Sequence, residues 1–193
     1  MFVTEIISSL KSSLEVNSIK DSLLHAELIV MKTLDCDRAF LYGRYYDLLK
    51  PEQIESIDID LKRVTSGEPW AYICGYKEFY GLNIMVAEGV FIPRPETELI
   101  VETVLHLRYK YTNPRIVEPC VGSGAISIAL AKYMPEAKFE ATDVSTISLD
   151  FARRNADIHG VSKHIRYKQA NLLNGIRRGI DIIISNPPYI ETS

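Results

Sequence analysis

Near the end of the chain, Asn186, Pro187, Pro188 and Tyr189 directly follow a short run of isoleucines. The Asn186 amide carries both a hydrogen-bond donor and an acceptor. The prolines have no N–H to continue a strand ladder, so the carbonyls beside them keep free lone pairs. Tyr189 adds a flat aromatic face. Two acceptors and a ring can hold a planar –NH2 group and turn its nitrogen toward an electrophile. The alternative is a purely structural role, in which the tetrapeptide is a strand end followed by a polar turn.

A glycine loop precedes this tetrapeptide in the chain. Gly122 and Gly124 follow a predicted strand at 115–118 and precede a predicted helix of small residues at 125–133. Such a loop places backbone N–H groups and a helix N-terminus around a bound ligand. Asp143 lies 19 positions after Gly124, at the end of the next predicted strand. An acid at this place accepts hydrogen bonds from ribose hydroxyls.

The elements that position these residues alternate between strand and helix. Strands are predicted at 115–118, 139–142, 165–169 and 181–185, with a helix at 147–159. This order indicates an α/β fold with a parallel, doubly wound sheet. The isoleucine run at 182–184 is typical of a strand buried on both faces. We expect the glycine loop, Asp143, Asn171 and Asn186 to converge at the carboxyl ends of the strands.

The first part of the chain has a different pattern. Residues 1–70 predict a helical bundle, 71–93 a β-hairpin linker, and 94–193 the α/β domain. In the bundle, Pro51 is a good first helical residue and Ser18 is a candidate N-cap for the second helix. The predicted apolar faces of the first two helices contain Ile6, Ile7, Leu10 and Leu14, then Leu23, Leu24, Leu28 and Met31.

Composition bounds the function. The 193 residues are 47% hydrophobic and carry a formal net charge of −3, which suits one or two domains with a real core. Residues 1–75 hold 8 basic and 12 acidic residues, and neither half is a polycation that predicts a nucleic-acid groove. No apolar run approaches a membrane span, and the first nine residues lack a signal-peptide pattern, so we expect a cytoplasmic protein. The three cysteines show no metal-ligand spacing.

Three motifs now occur in order after a helical domain: Phe91-Ile-Pro-Arg-Pro-Glu-Thr-Glu98, Gly122-Ser123-Gly124-Ala125-Ile126 and Asn186-Pro-Pro-Tyr189. Across the whole chain, this combination resembles the peptide-chain-release-factor glutamine methyltransferases of the PrmC/HemK type. Members use S-adenosylmethionine to methylate the side-chain amide nitrogen of the glutamine in the Gly-Gly-Gln loop of class I release factors, in translation termination. The resemblance implies a Rossmann-like class I methyltransferase domain after a substrate-recognition bundle.

The resemblance also implies which residues contact the cofactor. Gly122 and Gly124 would flank its methionine part, Asp143 would bind the ribose hydroxyls, and Asn171 would lie near the adenine. The full implied set is Glu118, Cys120, Gly122, Gly124, Asp143, Asn171 and Asn186. Family members commonly have Asp, Gly and Asp where this sequence has Glu118, Cys120 and Asn171, so these three contacts would be remodelled.

For the substrate, the resemblance implies that Asn186, Pro187, Pro188 and Tyr189 hold the glutamine amide and that Arg94 shapes the entrance. Methyl transfer would be an in-line displacement at the sulfonium methyl. The sequence offers no strong base, so Asn186, Pro187 and Tyr189 would act by positioning and hydrogen bonding. Full-length methyltransferases of this class add three more strands after this motif. We therefore expect a truncated chain with weak or absent turnover.

Three other functions stay open. A nucleic-acid adenine amino-methyltransferase shares Asn-Pro-Pro-Tyr and flips its target base, but the acidic bundle argues against it. A ribosomal-protein glutamine methyltransferase is closer, but the run at 93–98 favours the release-factor branch. The third is a non-catalytic module whose bundle binds a partner, which would show no heat of cofactor binding.

Overall fold

The computed structural model describes residues 1–176 and 178–188. The chain divides into two compact units, a helical unit at Met1–Cys74 and a sheet unit at Gly75–Ser193. Each unit has its own cluster of buried apolar side chains. Two separate cores are what two independently packed domains require. Within the described residues, none of the helices combines the length and hydropathy needed to span a bilayer.

The helical unit contains five described α-helices: α1 (Val3–Val16), α2 (Ser22–Leu34), α3 (Arg38–Gly43), α4 (Pro51–Thr65) and α5 (Trp70–Cys74). The four residues predicted for the inner face of α1 are all buried, together with Val3. Pro51 is the first residue of α4, as predicted. The range 71–93 assigned to the hairpin linker begins inside α5.

The prediction for the apolar face of α2 is wrong at its first two positions, whereas Met31 packs against the core of the helical unit. Leu23 and Leu24 are 48% and 42% exposed. The buried face instead includes Glu27, whose Oε2 lies 2.8 Å from an Arg38 guanidinium nitrogen. The Tyr42 hydroxyl also donates a hydrogen bond to Glu27 Oε1 at 3.1 Å. Because a paired carboxylate occupies a core position, the buried face of α2 is not a continuous apolar stripe in the sequence.

The sheet unit begins with an antiparallel hairpin of β1 (Tyr76–Phe79) and β2 (Leu82–Met85). Its two-residue turn, Tyr80-Gly81, has positive φ at both positions, 51° and 72°, as a turn matched to the twist of a hairpin requires. After the 3₁₀ turn Pro95–Thr97, the elements are α6 (Glu98–Leu107), β3 (Arg115–Pro119), α7 (Ala125–Tyr133), β4 (Lys138–Asp143), α8 (Thr146–Ile158), β5 (Ile165–Gln169) and β6 (Ile182–Ile183).

The last four strands form one parallel sheet in the order β5–β4–β3–β6, so the predicted α/β class and parallel sheet are confirmed. The chain moves outward from β3 to β4 and β5, then returns to the other side of β3. Its core combines apolar strand residues with apolar residues of α6, α7 and α8. In sheets of this kind, ligands bind beyond the carboxyl ends of the strands where the order reverses, which here is beside β3.

The prediction of a strand buried on both faces at 182–184 is wrong. Ile184 is 6% exposed, but Ile183 is 55% exposed. Strand β6 pairs with β3 alone among the described strands, at the edge of the sheet. Successive side chains on a strand point to opposite faces. Ile184 therefore reaches the core, while Ile183 points to a face that no described element covers.

Candidate active site

A cavity of about 500 Å³ lies at the carboxyl ends of β3, β4 and β6. It brings together eight residues named from the sequence: Glu118, Cys120, Gly122, Asp143, Asn171, Asn186, Pro187 and Pro188. Its wall also contains residues the sequence reasoning did not single out, among them Phe91, Pro93, Thr97 and Ser123. The convergence predicted from the strand order is therefore present.

The loop after β3 folds back onto the end of β4. Cys120, Gly122 and Gly124 all have left-handed backbone conformations, with φ of 58°, 56° and 84°. The Val121 N–H donates to the carbonyl of Thr142 at 3.0 Å. These bends turn the loop sharply at the strand end, which brings its backbone to the wall of the cavity.

Gly124 has a packing role in this loop. A Cβ built there would lie 2.9 Å from Ile128 Cδ1 and 3.1 Å from Ala152 Cβ. Glycine is therefore required for the start of α7 to approach α8 closely. Gly124 is absent from the described cavity wall, so its predicted cofactor contact stays a prediction, while Gly122 lies in the wall.

Asp143 joins the loop to the end of β4. Its Oδ2 accepts the Gly122 N–H and its Oδ1 accepts the Ser145 N–H, both at 2.9 Å. An ionised carboxylate oxygen has more than one acceptor site. Asp143 is thus held in place by the backbone and can still accept hydrogen bonds from hydroxyl groups in the cavity.

Glu118 is buried, with 2% exposure, at the end of β3. The Ser127 N–H donates to its Oε2 at 2.9 Å, and the Ser127 hydroxyl donates to the same oxygen. Oε1 accepts no hydrogen bond from a described residue. Burial raises the Glu118 pKa to about 8; the nearby Asp143 charge adds to this, and the Ser127 bonds oppose it. No described cation pairs with Glu118, so a positively charged ligand group would restore the ionised form.

Cys120 and Asn171 occupy the side and rim of the cavity. Burial raises the pKa of the Cys120 thiol, as do the charges of Asp143 and Glu118. The thiol is therefore neutral at physiological pH and a weak nucleophile.

Asn171 is exposed in the turn after β5. The Thr142 hydroxyl donates to the carbonyl of the next residue, Leu172, at 2.6 Å, which ties this turn to the end of β4.

Asn186 reaches the cavity from the end of β6. The Ser185 hydroxyl donates to the carbonyl of Pro119 at 2.8 Å, which fixes the loop against β3. The Asn186 side-chain nitrogen, Nδ2, donates to Thr97 Oγ1 at 3.1 Å. Its Oδ1 has no partner among the described residues. Tyr189, which the sequence placed in the same site, lies outside the residues that the structure describes.

The comparisons with known proteins agree with this geometry. Residues 84–193 match the methyltransferase small domain, and residues 5–75 match the PrmC N-terminal domain. Among curated proteins, the chain is 35% identical over 192 residues to a release factor glutamine methyltransferase of Koribacter versatilis, covering 98% of this chain and 68% of that protein. The chain belongs to the release factor glutamine methyltransferase family.

Other relatives of the same name are similar over the same extent. One from Chlorobaculum tepidum is 36% identical over 97% of this chain and 67% of its own. One from Dictyoglomus turgidum is 39% identical over 97% and 67%. The chain thus spans about two thirds of the length of these relatives. Among solved structures, a ribosomal protein L11 methylase of Lactobacillus delbrueckii subsp. bulgaricus is 24% identical, with a TM-score of 0.43, over 54% of this chain and 52% of that one.

The cofactor of this methyltransferase family is S-adenosylmethionine, and the residues present fit it. Its amino acid part carries an ammonium group and its ribose carries hydroxyls. Glu118 has an oxygen, Oε1, without a described partner and lacks a described cation, so the ammonium group would restore its ionised form and be bound by it. Asp143 presents further acceptor capacity at the next strand end. The cavity volume of about 500 Å³ lies within the range of small-molecule sites.

The motif at 91–98 lines the cavity with residues other than Arg94, the one predicted from the sequence. Arg94 is exposed and absent from the described cavity wall, so its substrate role stays a prediction. Phe91, Pro93 and Thr97 from the same segment do line the cavity. The motif itself was visible in the sequence. Which of its side chains point inward depends on the 3₁₀ turn at Pro95–Thr97, which the motif alone does not reveal.

Asn155 supports the glycine loop from behind and was missed entirely. It is fully buried on α8. Its Nδ2 donates to the carbonyls of Ser123 at 2.9 Å and Met85 at 3.0 Å, and its Oδ1 accepts the Met85 N–H at 2.8 Å. One amide therefore connects the hairpin, α8 and the glycine loop. A single asparagine in a helical pattern gives no sequence signal of such a role.

Proposed function

We propose that this protein transfers a methyl group from S-adenosylmethionine to the side-chain amide nitrogen of the glutamine in the Gly-Gly-Gln motif of class I release factors. One observation carries the proposal. The free Asn186 Oδ1 and the proline-flanked loop share one cavity wall with Glu118 and Asp143. An acceptor for a planar –NH2 group and acceptors for the cofactor thus lie in one space.

The cofactor supplies an electrophilic methyl group on a sulfonium. On the protein side, Asp143 would accept hydrogen bonds from the ribose, and Glu118 would pair with the ammonium. Gly122, Cys120 and Asn171 complete the wall on that side. Both acids are fixed by hydrogen bonds to backbone or serine donors, so they need little reorganisation when the cofactor binds.

The substrate amide is a poor nucleophile because its lone pair is delocalised. We assign no general base among the described wall residues: Glu118 is bonded to Ser127, Asp143 accepts two backbone N–H groups, and the Cys120 thiol has a raised pKa. Asn186 Oδ1 and the Pro187 carbonyl would accept the two N–H groups and aim the nitrogen at the methyl. Positioning of this kind can supply several kcal/mol of barrier reduction, about 7 kcal/mol in well-aligned cases.

The helical unit would bind the release factor. It matches the PrmC N-terminal domain over residues 5–75, and its charge does not suit nucleic acid. We place the reaction in the cytoplasm, with a protein rather than a nucleic acid or a membrane as partner. None of the described contacts favours the adenine methyltransferase or the non-catalytic module over this reaction.

The proposal is tested by mixing the protein with S-adenosylmethionine and a class I release factor. Protein and substrate are used in equal amounts, so that one slow turnover suffices. Mass spectrometry of the Gly-Gly-Gln peptide should show one added methyl on the glutamine. Asn186→Ala should lose at least about 100-fold in methyl transfer while cofactor affinity, measured by calorimetry, stays within about threefold.

Two parallel reactions give the control. One offers an adenine-containing single-stranded oligonucleotide, and the other a ribosomal protein with an accessible glutamine. A methyl on either of these but not on the release factor would refute the proposed substrate. An absence of cofactor heat in the calorimeter would refute the proposed reaction altogether.

A further inference from the structure

The hydrogen bond between Asn186 and Thr97 joins two segments that are 89 residues apart in the chain. Thr97 is 9% exposed and lines the cavity. Its N–H donates to the Arg94 carbonyl at 3.0 Å, so its backbone is fixed in the 3₁₀ turn. Its hydroxyl oxygen accepts a proton from Asn186 Nδ2 at 3.1 Å. The donor end of the Asn186 amide is therefore occupied.

A side-chain amide can be rotated by half a turn with almost no change of shape, but the turn exchanges its donor and acceptor ends. With Nδ2 on Thr97, Asn186 presents Oδ1 as its free end. In the rotated state it would present –NH2 to the substrate, which itself approaches with –NH2. Two donors would then face each other, and the substrate proton would lose its acceptor. The Thr97 hydroxyl can accept from Nδ2 or donate to Oδ1, so it holds the amide in either rotation, and the approaching substrate selects the one with Oδ1 free.

Resting on the proposed function, we infer that Thr97 is a positioning residue whose hydroxyl holds the Asn186 side chain at the cavity wall, where its amide meets the substrate N–H groups. Its role depends on the hydroxyl and not on its bulk. A valine would fill nearly the same volume but would form no hydrogen bond, so the Asn186 amide would lose the contact that restrains it.

The contact is not needed to hold the two segments in place. The Asn186 loop is fixed by the Ser185 hydroxyl on the Pro119 carbonyl at 2.8 Å and by the Ile184 N–H on the Val117 carbonyl at 2.9 Å. The Thr97 turn is fixed by its own backbone bond. Loss of the hydroxyl should therefore change the state of one amide and leave the fold intact.

The test compares Thr97→Val with Thr97→Ser, which keeps the hydroxyl. Thr103→Val is the matched control, because Thr103 is exposed on α6 and donates to the Leu99 carbonyl of its own helix at 2.7 Å. The first readout is the Asn186 side-chain NH2 signal in ¹⁵N-edited NMR, assigned by its loss in Asn186→Ala. The second is methyl transfer to the release factor at saturating cofactor, with cofactor affinity from calorimetry.

We expect Thr97→Val to shift the Asn186 NH2 signal and speed its solvent exchange at least about tenfold, with kcat about 10-fold to 100-fold lower and cofactor affinity unchanged. Thr97→Ser should stay within about threefold of the wild type in both readouts, as should Thr103→Val. An Asn186 signal that is the same in Thr97→Val and Thr97→Ser would overturn the inference. So would equal kcat in these two variants. If the wild type transfers no methyl to glutamine, the proposed function fails, while the NMR comparison still decides the role of Thr97.

Discussion

The two units of this protein bury carboxylates in opposite ways. In the helical unit, Glu27 and Asp60 are 4% and 2% exposed, and each has a cation. The Arg38 guanidinium lies 2.8 Å from Glu27, and the Lys32 ammonium lies 2.6 Å from Asp60. In the sheet unit, Glu118 is equally buried but forms no ion pair with a described residue.

We propose that this difference separates structural carboxylates from one that binds a ligand. Removing a charge from water is costly, and a core tolerates it when a partner charge is close. The helical unit supplies such partners from its own chain. Glu118 has only the two Ser127 donors on Oε2, and its pKa is raised to about 8. Because Glu118 lies in the cavity wall, we propose that the cofactor supplies the missing cation.

The largest expected effect is a dependence of stability on pH. The Glu118 pKa is about 8 in the folded protein against an ordinary value of 4.5. Between these values the folded state keeps a proton that the unfolded state releases, so stability falls as pH rises. The contribution of Glu118 is complete below pH 4.5 and is lost by about pH 8. The loss over this window is on the order of 5 kcal/mol.

Urea denaturation of the cofactor-free protein at several pH values, followed by far-ultraviolet circular dichroism, checks this slope. Glu118→Gln is the matched variant, since it keeps the shape and cannot ionise. As pH rises, the unfolding free energy of the wild type should fall relative to that of Glu118→Gln. If that difference stays constant between pH 5 and 8, Glu118 is not held neutral by burial.

A smaller effect is expected from Lys32→Met in the helical unit. Methionine keeps most of the apolar stem, but Asp60 would be left with Arg63 at 3.9 Å as its remaining cation. We expect a loss of about 2 kcal/mol in the unfolding free energy. This is below the cost of breaking a fully buried pair because the Lys32 side chain is 32% exposed. Cofactor affinity should not change.

Trp70 is the one tryptophan of the chain and lies in α5, so its fluorescence reports unfolding of the helical unit. Lys62→Met on α4 is the control, since Lys62 is exposed and has no ion pair among the described residues. Equal denaturation midpoints for the two variants would mean that the Asp60 pair contributes nothing, and the contrast between the units would weaken.

The parts of the fold that follow local rules could be predicted. Helix α1 shows its buried stripe because every core position is apolar, and α4 starts at Pro51 because proline suits a first turn. The start and the buried face of helix α2 could not be predicted in the same way. It begins at Ser22, with Asp21 and not Ser18 at its cap position. Its core position Glu27 is polar, with a partner that only the tertiary structure reveals.

For the candidate site, the location could be predicted from the sequence, but the side-chain contacts could not. Strand order and the positions of Gly122, Asp143 and Asn186 gave the place of the cavity, because the ends of parallel strands meet at one edge. Which side chains pair across that edge could not be read. The Thr97 bond to Asn186 and the Asn155 bonds behind the loop join segments far apart in sequence. The exposure of Ile183 depends on which elements pack against β6, and the isoleucine run does not indicate this.

The central claim is that Glu118 is kept without a cation so that the cofactor can supply one. Calorimetric titration of S-adenosylmethionine at neutral pH into wild type, Glu118→Gln and the exposed control Glu136→Gln tests it most directly. We predict about tenfold weaker binding for Glu118→Gln, with no loss of unfolding free energy, and wild-type affinity for Glu136→Gln. Wild-type affinity in Glu118→Gln would contradict the account and leave Glu118 as a buried acid that serves only the fold.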